Sequence, residues 1–260
     1  MAGLAAALYM RGIDWIAMPT TLLAQVDASI GGKTALNLRH GKNLVGAFHQ
    51  PVGVYSDPHC LTTLRTSDFR SGLGEVLKCA LLGSMGLMEL LESRAAALLA
   101  RELELTSKVV AACASLKARL VSEDPLDRGA RRELNLGHTF AHAIEHVAGV
   151  GSVPHGLAVS VGLILALALA AELGFLRDAG LAERTLQLAT SLKLPTSIAQ
   201  LAQVAGKPLP PEEILRAMDL DKKALAQGLR FVLPRELGQV EREAAVEPQR
   251  VLRVLQAAGR

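Results

Sequence analysis

Three histidines spaced four residues apart constrain the fold of this chain more than any other feature. They are His138, His142 and His146, and they lie in the stretch Glu133–His146. Side chains four residues apart on an α-helix lie above one another on one face. The spacing therefore predicts a helix that carries a stripe of imidazoles, and it places Asn135 one turn upstream on the same side.

A stripe of this kind can hold a divalent cation. A catalytic site of the zinc type takes three protein ligands from His, Cys, Asp and Glu and leaves one position open for chemistry. His138 and His155, from two helices, are candidates for two of these ligands, and the third must come from elsewhere in the chain. The alternative is a helix with solvated histidines. Arg131, Asn135 and the His155–Gly156 pair favour a site.

The composition excludes several classes of protein. With 260 residues, half of them apolar, the chain is long enough to bury a substantial core in one large or two ordinary domains. Only 3% of the residues are aromatic, and the Ala- and Leu-rich stretches favour helix over sheet. The net charge of +3 is small and spread along the chain, so no nucleic-acid partner is expected. The small positive net charge is compatible with an anionic small molecule as the binding partner.

Cysteine usage and hydropathy bear on the compartment. Cys60, Cys79 and Cys113 are odd in number and have no CxxC spacing, which favours a reducing, cytoplasmic environment without disulfide bonds. The longest run with neither a charged residue nor a histidine, residues 156–171, is shorter than the roughly 20 residues that span a bilayer. It predicts a buried helix and no membrane partner. The first ten residues lack a basic leader, so no signal peptide is expected.

The character of the chain changes near residues 58–65. Before this point, strands are predicted at 13–18 and 51–57, a helix at 22–26, and a loop at 37–50. From about residue 66 most segments show helical periodicity. We therefore expect an α/β part at 1–60 and a larger, all-α domain at 61–260.

Within the second part, the predicted helices include 69–91, 103–122, a pair at 178–205 interrupted by Leu194-Pro195, and a final helix from Glu247. One strand is predicted at 228–233. Glu75 and Lys78 lie three apart on one helical face, for which the alternative interpretation is a surface ion pair. The segment 30–34 looks like part of a phosphate loop but lacks the spacing of a true P-loop.

Several separated motifs, in this order along the chain, resemble those of the 3-dehydroquinate synthase family. The motifs that match the family's nucleotide-binding domain are Tyr9–Ile13, Pro19–Asp27, Gly31–Thr34 and Gly41–Asn43. Those that match its helical domain are Glu75–Lys78, Leu134–Thr139, His142–Glu145, His155–Gly156 and Asp221–Lys223. The resemblance runs from residue 1 to about residue 240, and it makes the α/β part the remnant of a nucleotide-binding domain.

The resemblance implies a lyase of the shikimate pathway, which serves aromatic amino acid biosynthesis. Its substrate is an anionic sugar-acid phosphate, 3-deoxy-D-arabino-heptulosonate 7-phosphate, and its products are 3-dehydroquinate and phosphate. Tightly bound NAD oxidises a hydroxyl, phosphate is eliminated, the ketone is reduced again, and an intramolecular aldol step closes the ring. The implied cofactors are NAD and Zn²⁺ or Co²⁺. The metal polarises the alcohol that is oxidised.

The same resemblance implies a role for each matching residue. The metal ligands are Glu75, His138 and His155. The groups that bind substrate or move protons are Asp27, Lys78, Lys117, Arg131, Asn135, His142, one of Lys222 and Lys223, and Arg11, which reaches the substrate of a neighbouring subunit in a homodimer. The positions that contact NAD are Thr20, Thr21, Lys33, Lys42, Asn43, Cys60, Leu61, Thr62 and Thr63.

The chain also departs from the family pattern. The family has an N-terminal region of roughly a hundred residues whose glycine-rich turn cradles the NAD pyrophosphate, and we expect this chain to begin after it. We expect the sequence to be a fragment of a longer protein, a reading that starts at the wrong codon, or a protein that has lost tight NAD binding. Two smaller departures are Leu157, where the family usually has Glu, and Arg128, near a position that is often acidic.

Three alternatives stay open from the sequence. The sister sugar-phosphate cyclases share the metal triad and NAD, and the metal-dependent alcohol and glycerol dehydrogenases share the fold more distantly. Lys117, Arg131 and Asn135 together favour dehydroquinate synthase over both. The third alternative is a non-catalytic, metal-binding remnant that lacks NAD.

Overall fold

The helices that carry the motifs of the second part pack around one central apolar helix. A computed structural model describes residues 1–38, 41–83, 85–149, 151–222 and 229–259. The helices are α1 (Ala2–Leu8), α2 (Thr66–Leu82), α3 (Met85–Leu99), α4 (Leu103–Glu123), α5 (His138–Ala148), α6 (His155–Glu172), α7 (Gly180–Ser191), α8 (Ile198–Ala205), α9 (Pro211–Lys222) and α10 (Pro248–Ala258). The predicted pair at 178–205 is found as α7 and α8.

The α/β part is built from short strands. Strands β1 (Ile16–Ala17) and β4 (Gly53–Val54) pair in parallel, with Ile16 opposite Gly53. Between them, the predicted helix at 22–26 is found and ends in a π-helical turn, Ala24–Ala28. This turn packs against α2 and α4. It therefore brings the α/β part into contact with the helical part.

The loop predicted at 37–50 is wrong over most of its length. Strands β2 (Lys33–Leu38) and β3 (Gly41–Phe48) form an antiparallel hairpin instead, with Lys33 opposite Phe48. The polar, Gly-rich composition favoured a loop, but ladder pairing satisfies the backbone groups whatever the side chains are. The Thr34 hydroxyl adds a hydrogen bond of 2.8 Å to the carbonyl of Ala47.

Two predictions for the second part are also corrected. The helix expected at 69–91 is two helices, α2 and α3, because Gly83 leaves the helical conformation with ψ −144°. The domain is not all-α, since β5 (Arg230–Glu236) and β6 (Gln239–Ala245) form an antiparallel hairpin. The predicted strand at 228–233 overlaps β5. The charged sequence of β6 does not predict a strand, and this segment is a strand because it pairs with β5.

Helix α6 is the centre of the core. It packs against α2, α5, α7, α10 and β5, and most of its side chains are buried. It is the one helix among the described residues that is long and apolar enough to span a membrane, and 72% of that span is buried inside the protein. The buried helix predicted from the uncharged run at 156–171 is confirmed.

Glycines let the neighbouring backbones touch α6. A Cβ on Gly74 in α2 would overlap the carbonyl oxygen of Gly156 in α6. A Cβ on Gly162 in α6 would overlap the carbonyl oxygen of Gly137, just before α5. Residues with side chains cannot pack at this separation. The positions of α2 and α5 against α6 therefore depend on these glycines.

We predict that Gly74→Ala lowers the free energy of unfolding by about 1–3 kcal/mol, because the added methyl must push α2 away from α6. Gly180→Ala is the matched control, since Gly180 is exposed in the first turn of α7 and only the Asp178 carboxylate lies near its Cβ position. Alanine should stabilise that helix by up to about 1 kcal/mol. Urea unfolding measures both changes, and equal stability of Gly74→Ala and the parent protein would contradict the packing argument.

Candidate metal centre and active site

Three ligand-type side chains from three helices meet at one point. Glu75 lies in the middle of α2, whereas His138 and His155 are the first residues of α5 and α6. The Glu75 Oε1 atom lies 3.4 Å from Nε2 of His138 and 3.2 Å from Nε2 of His155. Their ligand atoms all lie within 4.8 Å of one another. The three predicted metal ligands, far apart in sequence, are therefore neighbours in space.

The glycine contacts fix this arrangement. Gly74 precedes Glu75, and Gly156 follows His155. The close backbone contact between the two glycines therefore sets the distance between these two ligands. The Gly156 N–H donates to the Ser71 hydroxyl at 3.1 Å, which ties the start of α6 to α2. Gly137, with φ 77°, turns the chain directly before His138.

Hydrogen bonds orient both imidazoles. The Nδ1 atom of His138 lies 3.1 Å from the carbonyl oxygen of Leu136, and Nδ1 of His155 lies 3.1 Å from Oε2 of Glu145. Both partners are acceptors, so each Nδ1 carries the proton when the ring is neutral. Each Nε2 then presents a lone pair toward Glu75, which is the orientation that a metal ligand needs.

The surroundings of Glu75 suit a cation. Its side chain is fully buried; Oε2 is paired with the Lys78 ammonium at 2.6 Å, and Oε1, which faces both imidazoles, has no hydrogen bond of acceptable geometry among the described residues. Buried carboxylates are normally hydrogen-bonded, paired with a charge or bound to a metal. One carboxylate and two neutral imidazoles form a usual donor set for catalytic zinc. The residues present therefore fit a divalent ion of that type.

The charges around the donor set are strongly coupled. Burial disfavours the ionised form of Glu75, but Lys78 and His138 outweigh it and hold the pKa of Glu75 well below its usual value. Burial also disfavours the protonated form of His155, yet Glu145 and Glu75 raise the pKa of His155 to about 9. In the absence of a metal, a proton on His155 supplies the positive charge that this carboxylate pair attracts.

A network of two buried lysines and one partly buried aspartate adjoins the donor set. The Lys78 ammonium lies 2.6 Å from Oε2 of Glu75 and 3.5 Å from Oδ1 of Asp27. Lys117 donates to the carbonyl oxygen of Asp27 at 2.5 Å and to its Oδ1 at 2.8 Å. The Glu75–Lys78 pair is therefore not a surface ion pair, since both side chains are at most 1% exposed.

The network shifts the pKa of each member. For Lys78, burial disfavours the charged form, but the carboxylates of Glu75 and Asp27 raise the pKa. For Asp27, burial is outweighed by Lys78 and Lys117, which lower the pKa. For Lys117, burial wins over Asp27 and lowers the pKa. The charged states of Lys78 and Asp27 thus support each other.

Arg131 joins the two parts of the chain. It is 2% exposed, and its Nη1 and Nη2 atoms donate to the carbonyl oxygens of Pro125 and Gly31 at 3.0 and 2.7 Å. Asp124 orders the preceding loop by accepting hydrogen bonds from the backbone N–H groups of Arg128, Gly129 and Arg131. The Nε atom of Arg131 is buried without a hydrogen-bond partner among the described residues. The guanidinium has five N–H donors, and the hydrogen bonds among the described residues occupy two of them, so Nε is one of those that remain for a bound anion.

The other predicted substrate residues lie at different depths. His142 and Asn135 are exposed, and the His142 ring lies 5.4 Å from the His138 ring and 6.0 Å from the His155 ring. Arg11 is exposed in the segment after α1. The side chain of Lys222, and all of Lys223, lie outside the described residues. His146 is exposed, as predicted.

The structure places the predicted NAD residues in several settings. Thr20, Thr62 and Thr63 are exposed, Cys60 is partly buried, and the side chains of Lys42 and Asn43 lie outside the described residues. Thr21 accepts a hydrogen bond from the N–H of Ala24 and so caps the helical turn. The side chain of Leu61 is fully buried in the core, so it cannot contact a ligand. The carbonyl oxygen of Leu61 accepts a hydrogen bond from Arg101.

Two contacts of functional side chains were not predicted. Lys33 donates a hydrogen bond to Oδ2 of Asp127 at 2.5 Å. Oε2 of Glu145 lies at hydrogen-bond distance from Nδ1 of His155. Glu145 lies two turns after His138 on the same helix, which places it on the face that carries His138, but the spacing within one helix does not predict its contact with His155. Of the two departures from the family pattern, Leu157 is buried and Arg128 is exposed.

Models of two protein-domain families together match residues 1–224 of the chain. The 3-dehydroquinate synthase N-terminal domain matches residues 1–71, and the 3-dehydroquinate synthase C-terminal domain matches residues 72–224. The chain belongs to the 3-dehydroquinate synthase family. The expectation drawn from the ordered motifs is confirmed.

Individual relatives agree with this assignment. The 3-dehydroquinate synthase of Teredinibacter turnerae is 44% identical over 238 residues, which cover 92% of this chain and 64% of the relative. The chain thus spans about two thirds of the length of this relative. Among solved structures, the valiolone synthase ValA (2-epi-5-epi-valiolone synthase) of Streptomyces hygroscopicus, with NAD⁺ and Zn²⁺ bound, is 29% identical with a TM-score of 0.86, covering 99% of this chain and 69% of that one.

A second solved structure is 2-deoxy-scyllo-inosose synthase complexed with carbaglucose-6-phosphate, NAD⁺ and Co²⁺. It is 25% identical with a TM-score of 0.81 and covers 99% of this chain and 70% of that one. The fold of this dehydroquinate synthase family member is therefore that of the sugar-phosphate cyclases.

We predict that Lys78→Met lowers the free energy of unfolding of the metal-free protein by about 3–5 kcal/mol near neutral pH, because Glu75 and Asp27 lose their shared buried cation. Lys108→Met is the control, since Lys108 is exposed and, among the described residues, forms an ion pair only with exposed Glu104; its effect on the free energy of unfolding should stay below about 0.5 kcal/mol. Chemical denaturation measures both.

The cost of Lys78→Met should also depend on pH. The native state holds the pKa values of Glu75 and Asp27 below their ordinary 4.5 and 3.8. The stability gained from their ionised forms is therefore complete above these ordinary values and is lost as the pH falls through the lower native ones. The difference between variant and parent should shrink below about pH 4. A difference that is the same at all pH values would contradict the buried-charge account.

Proposed function

We propose that this chain carries out the 3-dehydroquinate synthase reaction, the conversion of 3-deoxy-D-arabino-heptulosonate 7-phosphate to 3-dehydroquinate and phosphate. The observation that carries the proposal is the meeting of Glu75, His138 and His155 beside the buried Lys78–Asp27–Lys117 network. A metal-binding donor set next to fixed ammonium groups suits a substrate that has both hydroxyls and anionic groups. The name of the relative that is 44% identical supports the same reaction.

Glu75, His138 and His155 are the proposed ligands of a divalent ion, Zn²⁺ or Co²⁺, the ions named with the two solved cyclases. When bound, such an ion supplies Lewis-acid polarisation of a substrate hydroxyl. The chain's own contribution is to hold three donors from separate helices at fixed spacing. The buried Lys78 ammonium on the other oxygen of Glu75 keeps this carboxylate ionised and oriented.

The lysines and arginine are proposed to bind the substrate's anionic groups. Asp27 fixes Lys78 and Lys117 by direct contacts, and each ammonium has three N–H donors, of which the described contacts occupy two. Arg131 offers its buried Nε. The proposed substrate-binding set is Asp27, Lys78, Lys117, Arg131, Asn135, Lys222 and, from a neighbouring subunit of a homodimer, Arg11.

His142 is proposed to move protons at the mouth of the site. It is exposed, so its imidazole can exchange protons with water, and it lies within 5.4–6.0 Å, ring to ring, of both ligand histidines. An imidazole can accept and release protons near neutral pH. This position lets His142 serve a substrate oxygen beside the donor set without being a ligand itself.

NAD is the proposed redox cofactor, because both solved cyclases are complexes with NAD⁺. Thr20, Thr21, Lys33, Lys42, Asn43, Cys60, Thr62 and Thr63, with the backbone of Leu61, are the proposed contacts. Lys33 would have to leave Asp127, its partner in this structure, to reach a nucleotide. A cytoplasmic location fits the free cysteines at 60, 79 and 113.

Phosphate release tests the substrate. We expect release with the seven-carbon acid phosphate and none with glucose 6-phosphate or sedoheptulose 7-phosphate. His138→Ala should lower the rate by about 1000-fold or more, since metal polarisation contributes several kcal/mol. His146→Ala, on the exposed end of the same helix, is the matched control and should keep the parent rate.

Two other results would contradict the proposal. Turnover of glucose 6-phosphate or sedoheptulose 7-phosphate in place of the acid phosphate would assign the chain to a sister cyclase. A protein that binds Co²⁺ but neither binds NAD at equilibrium nor releases phosphate would be a non-catalytic, metal-binding chain. Micromolar or tighter binding of NAD excludes the latter.

A further inference from the structure

Glu145 lies directly behind one of the proposed metal ligands. It is in α5, seven residues after His138, and its side chain is only 8% exposed. Its Oε2 atom lies 3.1 Å from Nδ1 of His155, the first residue of α6. Neither the family resemblance nor the proposed reaction gives this carboxylate a task.

The direction of this hydrogen bond determines which nitrogen of His155 faces the donor set. An ionised carboxylate only accepts, so Nδ1 of His155 must donate its proton to Glu145. The other nitrogen, Nε2, is then left with its lone pair, and it lies 3.2 Å from Oε1 of Glu75. Glu145 thus selects the tautomer in which His155 can bind a metal through Nε2.

The two imidazoles of the donor set are held by different chemistry. The corresponding partner of His138 is the backbone carbonyl of Leu136, a neutral acceptor whose position follows from the chain itself. The partner of His155 is a charged side chain. A carboxylate on Nδ1–H makes the imidazole a stronger electron donor and restrains the rotation of its ring. His155 has a further need for restraint, since it is the more exposed of the two, with 30% of its side chain accessible against 13% for His138.

We propose that Glu145 is a positioning residue that fixes the tautomer and orientation of His155 and thereby strengthens metal binding by the Glu75–His138–His155 set. This inference rests on the proposed function, because it presumes that these three residues are the ligands. Glu145 itself is not a ligand in this account. It acts only through His155.

A purely structural role would give a different result when the charge is removed. Glu145→Gln keeps the size of the side chain and an amide oxygen that accepts the Nδ1–H, so the contact between α5 and α6 can persist. The negative charge is lost, and with it the added donor strength of His155. A structural role predicts altered stability with unaltered metal affinity, whereas a positioning role predicts the reverse.

The experiment measures the dissociation constant of Co²⁺ for the metal-stripped protein by competition with a chromophoric chelator. We expect Glu145→Gln to weaken Co²⁺ binding by about 10- to 100-fold. The melting temperature of the metal-free protein should stay close to that of the parent when both are measured at a pH at which His155 is neutral, because at lower pH the variant also loses the ion pair with protonated His155. Glu172→Gln is the matched control, since Glu172 ends α6 and pairs with Arg250 and Arg253 at the surface. It should leave the affinity for Co²⁺ unchanged.

His138→Ala separates this inference from the proposed function. If the parent binds Co²⁺, His138→Ala loses it and Glu145→Gln matches the parent, the ligand set stands and the positioning role of Glu145 is wrong. If His138→Ala binds Co²⁺ as the parent does, or the parent does not bind it, both proposals fail. Nitrogen-15 NMR of the metal-free parent, recorded at a pH high enough for His155 to be neutral, gives a readout independent of affinity. We expect the proton on Nδ1, and a neutral ring protonated on Nε2 would overturn the proposal.

Discussion

The site depends on how closely three helix backbones approach one another. Helix α6 touches α2 where Gly156 meets Gly74, and it touches the start of α5 where Gly162 meets Gly137. Glu75 follows Gly74, His155 precedes Gly156, and His138 follows Gly137. A side chain at either contact would separate the helices by more than the tolerance of a metal site, which is a few tenths of an ångström. The packing of the core and the geometry of the site are therefore the same constraint.

Charge pairing holds the two parts of the chain together around this site. Asp27 and Gly31 belong to the α/β part, and they contact Lys78, Lys117 and Arg131 of the helical part. Taking such charges out of water is unfavourable unless they are paired. The residues that suit an anionic substrate thus also define the boundary between the two parts. This dual use explains why Lys78, Lys117 and Arg131, the cations proposed to bind substrate, are almost fully buried.

The sequence predicted the features that depend on local spacing and missed those that depend on pairing at long range. The histidine helix, the buried apolar helix and the break near Leu194 follow from periodicity and from proline. Hairpin β2–β3 and strand β6 were missed because their polar residues carry no strand signal and a partner strand stabilises them. Glu75 was identified as a third ligand only through the family resemblance, since nothing near it in sequence marks it. The bond from Glu145 to His155 joins two helices, and it became visible only in three dimensions.

X-ray diffraction at the zinc absorption edge, from crystals of the protein with stoichiometric Zn²⁺, shows whether one ion joins Glu75, His138 and His155. We predict one strong anomalous peak at about 2.0–2.2 Å from Oε1 of Glu75 and from Nε2 of His138 and His155. With the ion bound, Nδ1 of His138 should keep its hydrogen bond to the carbonyl oxygen of Leu136, and Nδ1 of His155 should keep its hydrogen bond to Glu145. An ion bound to other residues, or no peak between these three side chains, would contradict the account.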